Sequence, residues 1–139
     1  MSYYHSTILP MRFADAIAAV KEALHRHRFH VVSEIDLQQN FKKQLNLEFK
    51  PYVILGVCNP QFTHRLLEVQ EHVGAMLPCN VIIFEKDKSS VEVSVVDPVA
   101  SMQAIDHITI QQIATNIRSE LYAVIDELEE GPRSLAAQA

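Results

Sequence analysis

The fold is read from Tyr52-Val53-Ile54-Leu55-Gly56-Val57-Cys58-Asn59-Pro60. The run from Tyr52 to Cys58 is apolar on both faces, as a strand in the middle of a sheet must be. Gly56 inside it indicates a bulge or a close approach to the backbone. Asn59-Pro60 is a helix opening, with asparagine as N-cap and proline in the first turn. Phe62, Leu66, Val69 and Val73 follow at helical spacing, so a helix is predicted to about residue 72, capped by Gly74. Leu77-Pro78-Cys79-Asn80 then opens a second apolar strand over residues 79–86. Asp87-Lys88-Ser89-Ser90 makes a hairpin loop. The chain returns with Val91, Val93 and Val95 alternating against Glu92 and Ser94, a half-exposed antiparallel strand ended by Asp97-Pro98.

Upstream, residues 3–9 alternate: Tyr3, His5, Thr7 and Leu9 against Tyr4, Ser6 and Ile8. That is a first strand, stopped by Pro10. A helix over residues 12–26 buries Phe13, Ile17, Val20 and Leu24 on one face. His25-Arg26-His27-Arg28 closes it, where cations suit the negative end of the helix dipole or meet an acidic partner. A second strand spans residues 29–35, with Phe29, Val31 and Ile35 on one face and Val32 opposite. A short helix over residues 37–45 has Asp36 as N-cap, Phe41 and Leu45 on one side, and Asn46 as left-handed C-cap. Downstream, residues 99–105 form an irregular turn or two. Thr109-Ile110-Gln111-Gln112 signals the longest helix, over residues 110–128. Its stripe of Ile110, Ile113, Ile117, Leu121, Val124 and Leu128 serves as core or as a dimer seam. Glu129-Glu130-Gly131-Pro132 stops it.

Length and charge exclude several classes. The 139 residues fit one domain, here taken as residues 1–130 with a frayed tail at 131–139. A net charge of −5 opposes a nucleic-acid binder, which needs a basic face, and opposes adhesion to an anionic membrane. No apolar run approaches the roughly 20 residues that span a bilayer. Two cysteines are too few for a disulfide scaffold, so the cytoplasm and reduced thiols are expected. Only three glycines are present, so no phosphate-cradling or dinucleotide loop can be built, and no catalytic signature or cofactor fingerprint appears.

Taken together, Ile54 to Pro60, Leu77 to Val81 and Val95 to Pro98 resemble the bacterial and archaeal domain-of-unknown-function family 302. The likeness extends through Phe29 to Asp36 and covers most of the chain. The Cys-Asn-Pro and Leu-Pro-Cys-Asn forms resemble one branch of it; other members carry Gly-Asn-Pro and a non-thiol residue after Leu-Pro. The resemblance implies a single α+β domain similar to the TATA-binding-protein-like fold. That is a mainly antiparallel sheet of about five strands with helices packed on one face. It implies a homodimer and no established activity, and the fold name carries no DNA binding.

The candidate site is Cys58, Asn59, Pro60, Cys79, Asn80 and Asp97. A parallel crossover would put the two cysteines at opposite ends of the sheet; the antiparallel arrangement implied by the resemblance puts them at the same end. If they are close, three readings compete. They are packed apolar thiols, or a redox or nucleophilic pair with Cys58 activated by the helix it precedes. In the third they bind a soft metal with His64, although two thiols and one histidine lack a fourth ligand. The helix opening at residues 59–62 is also an anion site, with Asn80 and Asp97 close enough to hold a small polar ligand. Against it stands the plain reading in which Asn59, Asn80 and Asp97 only cap and tie down turns. The function expected is a cytoplasmic homodimer binding a small ligand in a groove around the Cys-Asn-Pro turn. The alternative is a thiol-based redox or stress-response protein, and a soft-metal binder ranks below it.

Overall fold

The computed structural model describes residues 2–138, with side chains described through residue 131. The quoted stretch is indeed an interior strand, β3 (Tyr52–Cys58), within the order β1 (Tyr4–Leu9), α1 (Phe13–Arg26), β2 (His30–Asp36), α2 (Leu37–Leu45), β3, α3 (Pro60–Val69). A 3-10 helix (Glu71–Met76) follows, then β4 (Cys79–Asp87), β5 (Ser90–Val96), α4 (Pro98–Ser101) and α5 (Ile108–Gln138). The strands make one sheet in the order β1-β5-β4-β3-β2. Every pairing is antiparallel. The fold is α+β.

Strand alternation assigns the faces. Val53, Leu55 and Val57 of β3, Val81 and Ile83 of β4, and Val91, Val93 and Val95 of β5 are all buried on one side. Against them lie α1, burying Ala16, Val20, Ala23 and Leu24, and α5, burying the whole stripe from Ile110 to Leu128. The isoleucine-rich face of α5 is therefore core of the domain itself.

Among the described residues the other face of the sheet carries no packed helix of this kind, and α2 approaches it through Phe49 and Tyr52. It is capped by Asp36, whose side chain accepts from the Gln39 N–H at 3.0 Å, and ended by Asn46 at φ 53°, both as the sequence predicts. Yet α2 buries no residue. Phe41 meets Phe49, Phe49 meets Tyr52, and Tyr52 stacks on Phe84, so α2 joins the open face through a chain of rings.

Three boundaries depart from expectation. In β2, Val31 pairs with Val57 but the next pairing is Ser33 with Gly56, so Val32 is an extra, bulged residue. A bulge flips the alternation beyond it. Ile35 consequently opposes Ile54 on the open face instead of sharing a side with Val31. Next, α3 ends at Val69 because Gln70 turns extended at φ −155°, and the 3-10 helix delivers Val73 to the core. Finally, α5 starts at Ile108 with His107 as its cap, the Nδ1 accepting from the Thr109 N–H at 3.2 Å. Gln111 donates its side-chain amide to the carbonyls of Met102 and Ile105. Gly131 breaks the helix at φ 62°. The side chains of the tail expected at 131–139 lie, beyond Gly131, outside the described residues. Among the described residues no helix is long and apolar enough to cross a membrane.

Candidate ligand site beside the Asn-Pro turn

The α1 helix closes in a Schellman motif: the Arg28 N–H donates to the His25 carbonyl at 3.0 Å, and the Phe29 N–H to Leu24 at 2.9 Å. Leu24 and Phe29 are both buried, the hydrophobic contact that accompanies this cap. The left-handed position, which favours glycine, is held by Arg28 at φ 66°. That turn aims the end of the His25-Arg26-His27-Arg28 run at the start of α3. Between them lies a half-open cavity of about 190 Å³, walled by Arg26, His27 and Arg28 on one side and Asn59, Gln61 and Phe62 on the other. Glu120 of α5 completes the wall.

The helix N-terminus contributes less than its reputation. Asn59 Oδ1 accepts from the N–H groups of Gln61 at 3.1 Å and Phe62 at 3.5 Å, its carbonyl accepts from Thr63, and Pro60 has no N–H. The donors of the first turn are occupied by the cap. What remains for a ligand is the side chains. Arg26 makes a two-pronged bond to Glu127 at 3.3 and 3.1 Å, which raises its pKa. His27 Nδ1 lies 3.2 Å from Glu120. Arg28 has no ion-pair partner among the described residues.

The six residues singled out in the sequence gather at one end of the sheet but divide between its faces. Cys79 sits opposite Val57 on the core face, and Cys58 opposite His30 on the open face. The thiols are at the same end of adjacent strands, pointing to opposite sides. Asn59 is buried at the cavity wall, and Pro60 is exposed beside it. Asn80 is exposed on the open face, opposite Gly56. Asp97 is buried, accepts from the Val99 N–H at 2.9 Å and meets Arg118 Nε at 3.5 Å. It caps α4 away from the cavity. His64 pairs with Glu68 on the surface of α3, and no cluster of three metal-ligating side chains exists among the described residues. Arg26, His27 and Arg28 were visible in the sequence as a basic run. Their meeting with the Asn-Pro turn, and Glu120 above it, depends on contacts between elements far apart in the chain.

The cysteines differ sharply in availability. Burial pushes the Cys79 thiol up to about 12, with Cys58 nearby adding to the rise. Cys58 is half-buried. Alkylation of the native protein at neutral pH is expected to modify Cys58 and spare Cys79, with both modified in denaturant; mass spectrometry of labelled peptides reads this directly. Equal native labelling would show that Cys79 is not packed in the core. The raised pKa has a further sign. Between pH 9 and 12 the unfolded chain loses the Cys79 proton while the folded one keeps it, so this group lowers stability as pH rises through that window.

Fold and cavity together define an α+β domain with one helix-covered sheet face, one open face, and a small cation-walled cavity at its rim. The chain belongs to the family described as domain of unknown function DUF302, whose model matches residues 5–128. In structure it is similar to an uncharacterized conserved DUF302 protein from Bacillus stearothermophilus, with a TM-score of 0.83. That likeness covers 91% of this chain and 98% of the other at 24% sequence identity, and speaks for the fold alone. No curated protein matches the chain.

Proposed function

We propose that this protein is a cytoplasmic, homodimeric small-ligand-binding domain, and that its ligand is a small anion held in the cavity between Arg28 and the Asn-Pro turn. The observation that carries the reading is Arg28. A non-glycine residue at positive φ costs on the order of 1 kcal/mol at a helix end where glycine is the usual choice. Here the residue so placed lines a cavity, and its guanidinium has no ion-pair partner among the described residues. The volume of about 190 Å³ is below the roughly 300 Å³ at which drug-sized ligand pockets begin. It suits a phosphate or a short carboxylate.

Arg28→Gly separates the ligand role from the structural one. The substitution keeps the Schellman turn and relieves its strain, so stability should hold or rise by about 0.5–1 kcal/mol. Binding of inorganic phosphate, followed by calorimetry on wild type and variant, should weaken about 10- to 100-fold, the worth of one charged hydrogen bond. Equal binding by both proteins, or none by wild type with phosphate or short carboxylates, would defeat the proposal. The thiol reading has less support. A Cys58–Cys79 disulfide would join side chains that leave the sheet on opposite faces, so redox chemistry would rest on Cys58 alone.

A further inference from the structure

We infer that the open face of the sheet is the surface on which a second copy of this chain packs, with α2 and the connector after it flanking the seat. This rests on the homodimer proposed above and adds which surface forms it. The core-side candidate is already spent, because the α5 stripe is buried within its own protomer. The open face is where apolar surface remains. Tyr52, Ile54, Ile82 and Phe84 form its centre, with Ile8 56% exposed toward one edge and Ile35 41% exposed toward the other. On α2 and its connector, Leu45 is 60% exposed, Leu47 56% and Phe49 41%. A helix that buries no residue while showing apolar side chains is stabilised by something placed over it.

A second copy fits the dimensions. Five strands at about 4.8 Å spacing and about 3.3 Å per residue make a face of roughly 500 Å² in plan. Side-chain relief and α2 bring it toward the roughly 800 Å² per partner of a stable interface. Two such faces stack about 10 Å apart as a sheet-on-sheet sandwich. A two-fold interface sets a patch against itself, so charge on this face has to be closed or carried to its margin. Lys86 is closed with Glu92 at 3.3 Å, and Lys50 lies over the Phe84 ring at 4.7 Å, a cation held by the ring beneath it. The acidic side chains of α5, among them Glu120, Asp126 and Glu127, lie on the helix-covered side.

The test is the solution mass of the full chain by light scattering and sedimentation, across dilution. Wild type is expected to be a dimer. Ile82→Glu, at the centre of the face, should raise the dissociation constant about a hundredfold or more. Leu45→Glu, on a side chain already exposed in the protomer, does the same to a lesser degree and guards against a central variant that fails to fold. Circular dichroism confirms that each is folded. A dimer that persists in folded Ile82→Glu and Leu45→Glu overturns this face while leaving the homodimer standing. A monomeric wild type at about 100 μM, above the range of stable dimers, overturns both. Phosphate binding by Arg28 is measured separately and is unaffected by either outcome.

Discussion

Leu121→Ala is expected to lower stability by about 2–5 kcal/mol, the range for truncating a fully buried leucine. Leu121 is 0% exposed at the middle of the apolar stripe of α5. That helix packs against β1, β5, α1, α3 and α4, so it closes the core over the sheet. The cavity left by the substitution is walled by several elements at once. A wall made of separate strands and helices cannot collapse inward without disturbing each pairing, so relaxation recovers little of the loss. Urea unfolding should show a lower midpoint with an unchanged slope, since the surface exposed on unfolding is nearly the same. Thermal unfolding should fall by about 3 °C for each kcal/mol in a domain of this size. Ser119→Ala, on the exposed side of the same helix, should stay within about 0.5 kcal/mol. A loss below about 1 kcal/mol at Leu121 would mean that α5 does not seal the core.

That stripe was legible because period alone reports it: Ile110 through Leu128 recur at helical spacing whatever they pack against. Its partner was not legible: core was the commoner reading and a dimer seam the other, until the helix was seen on its own sheet. Local chemistry was equally readable at Asp36 and Asn46, where caps act within a few residues. It failed at Val32. A bulge is a property of two strands, and nothing in Val31-Val32-Ser33 announces that Val57 and Gly56 will be its partners. The candidate site divides in the same way. Asn59-Pro60 declared a helix start, and the basic run declared a helix end. The cavity between them needed α1, α3 and α5 together. The anion-site reading of residues 59–62 assumed free N–H donors, yet Asn59 itself occupies them. Arg28, which has no ion-pair partner among the described residues, was inside the motif but distinguished only by its backbone angle.

Gly56→Ala should destabilise the fold by about 1–3 kcal/mol, the usual cost of forcing extra volume into a packed site. The sign is what makes the prediction informative, because glycine to alanine inside a strand ordinarily stabilises by about 0.5–1 kcal/mol through the unfolded chain. Here a Cβ would clash with Ser33 Oγ and stand 2.6 Å from Pro78 Cγ. The two obstacles are unequal. The serine hydroxyl rotates about one bond, whereas the proline ring is fixed to its own backbone and moves only with the chain that enters β4. Ser33→Ala in the Gly56→Ala background should therefore recover little, a coupling at the low end of the roughly 0.5–3 kcal/mol that contacting residues show in a double-mutant cycle. The geometry behind this reaches back to β2. Because Val32 is bulged, Ser33 rather than Val32 faces Gly56, on the open side of the sheet. The glycine thus answers both readings that its position in the strand allows, a bulge in the neighbouring strand and a close approach from Pro78. An unchanged or higher midpoint for Gly56→Ala would show that Pro78 does not press on this strand, and the register of the β2 bulge would have to be redrawn.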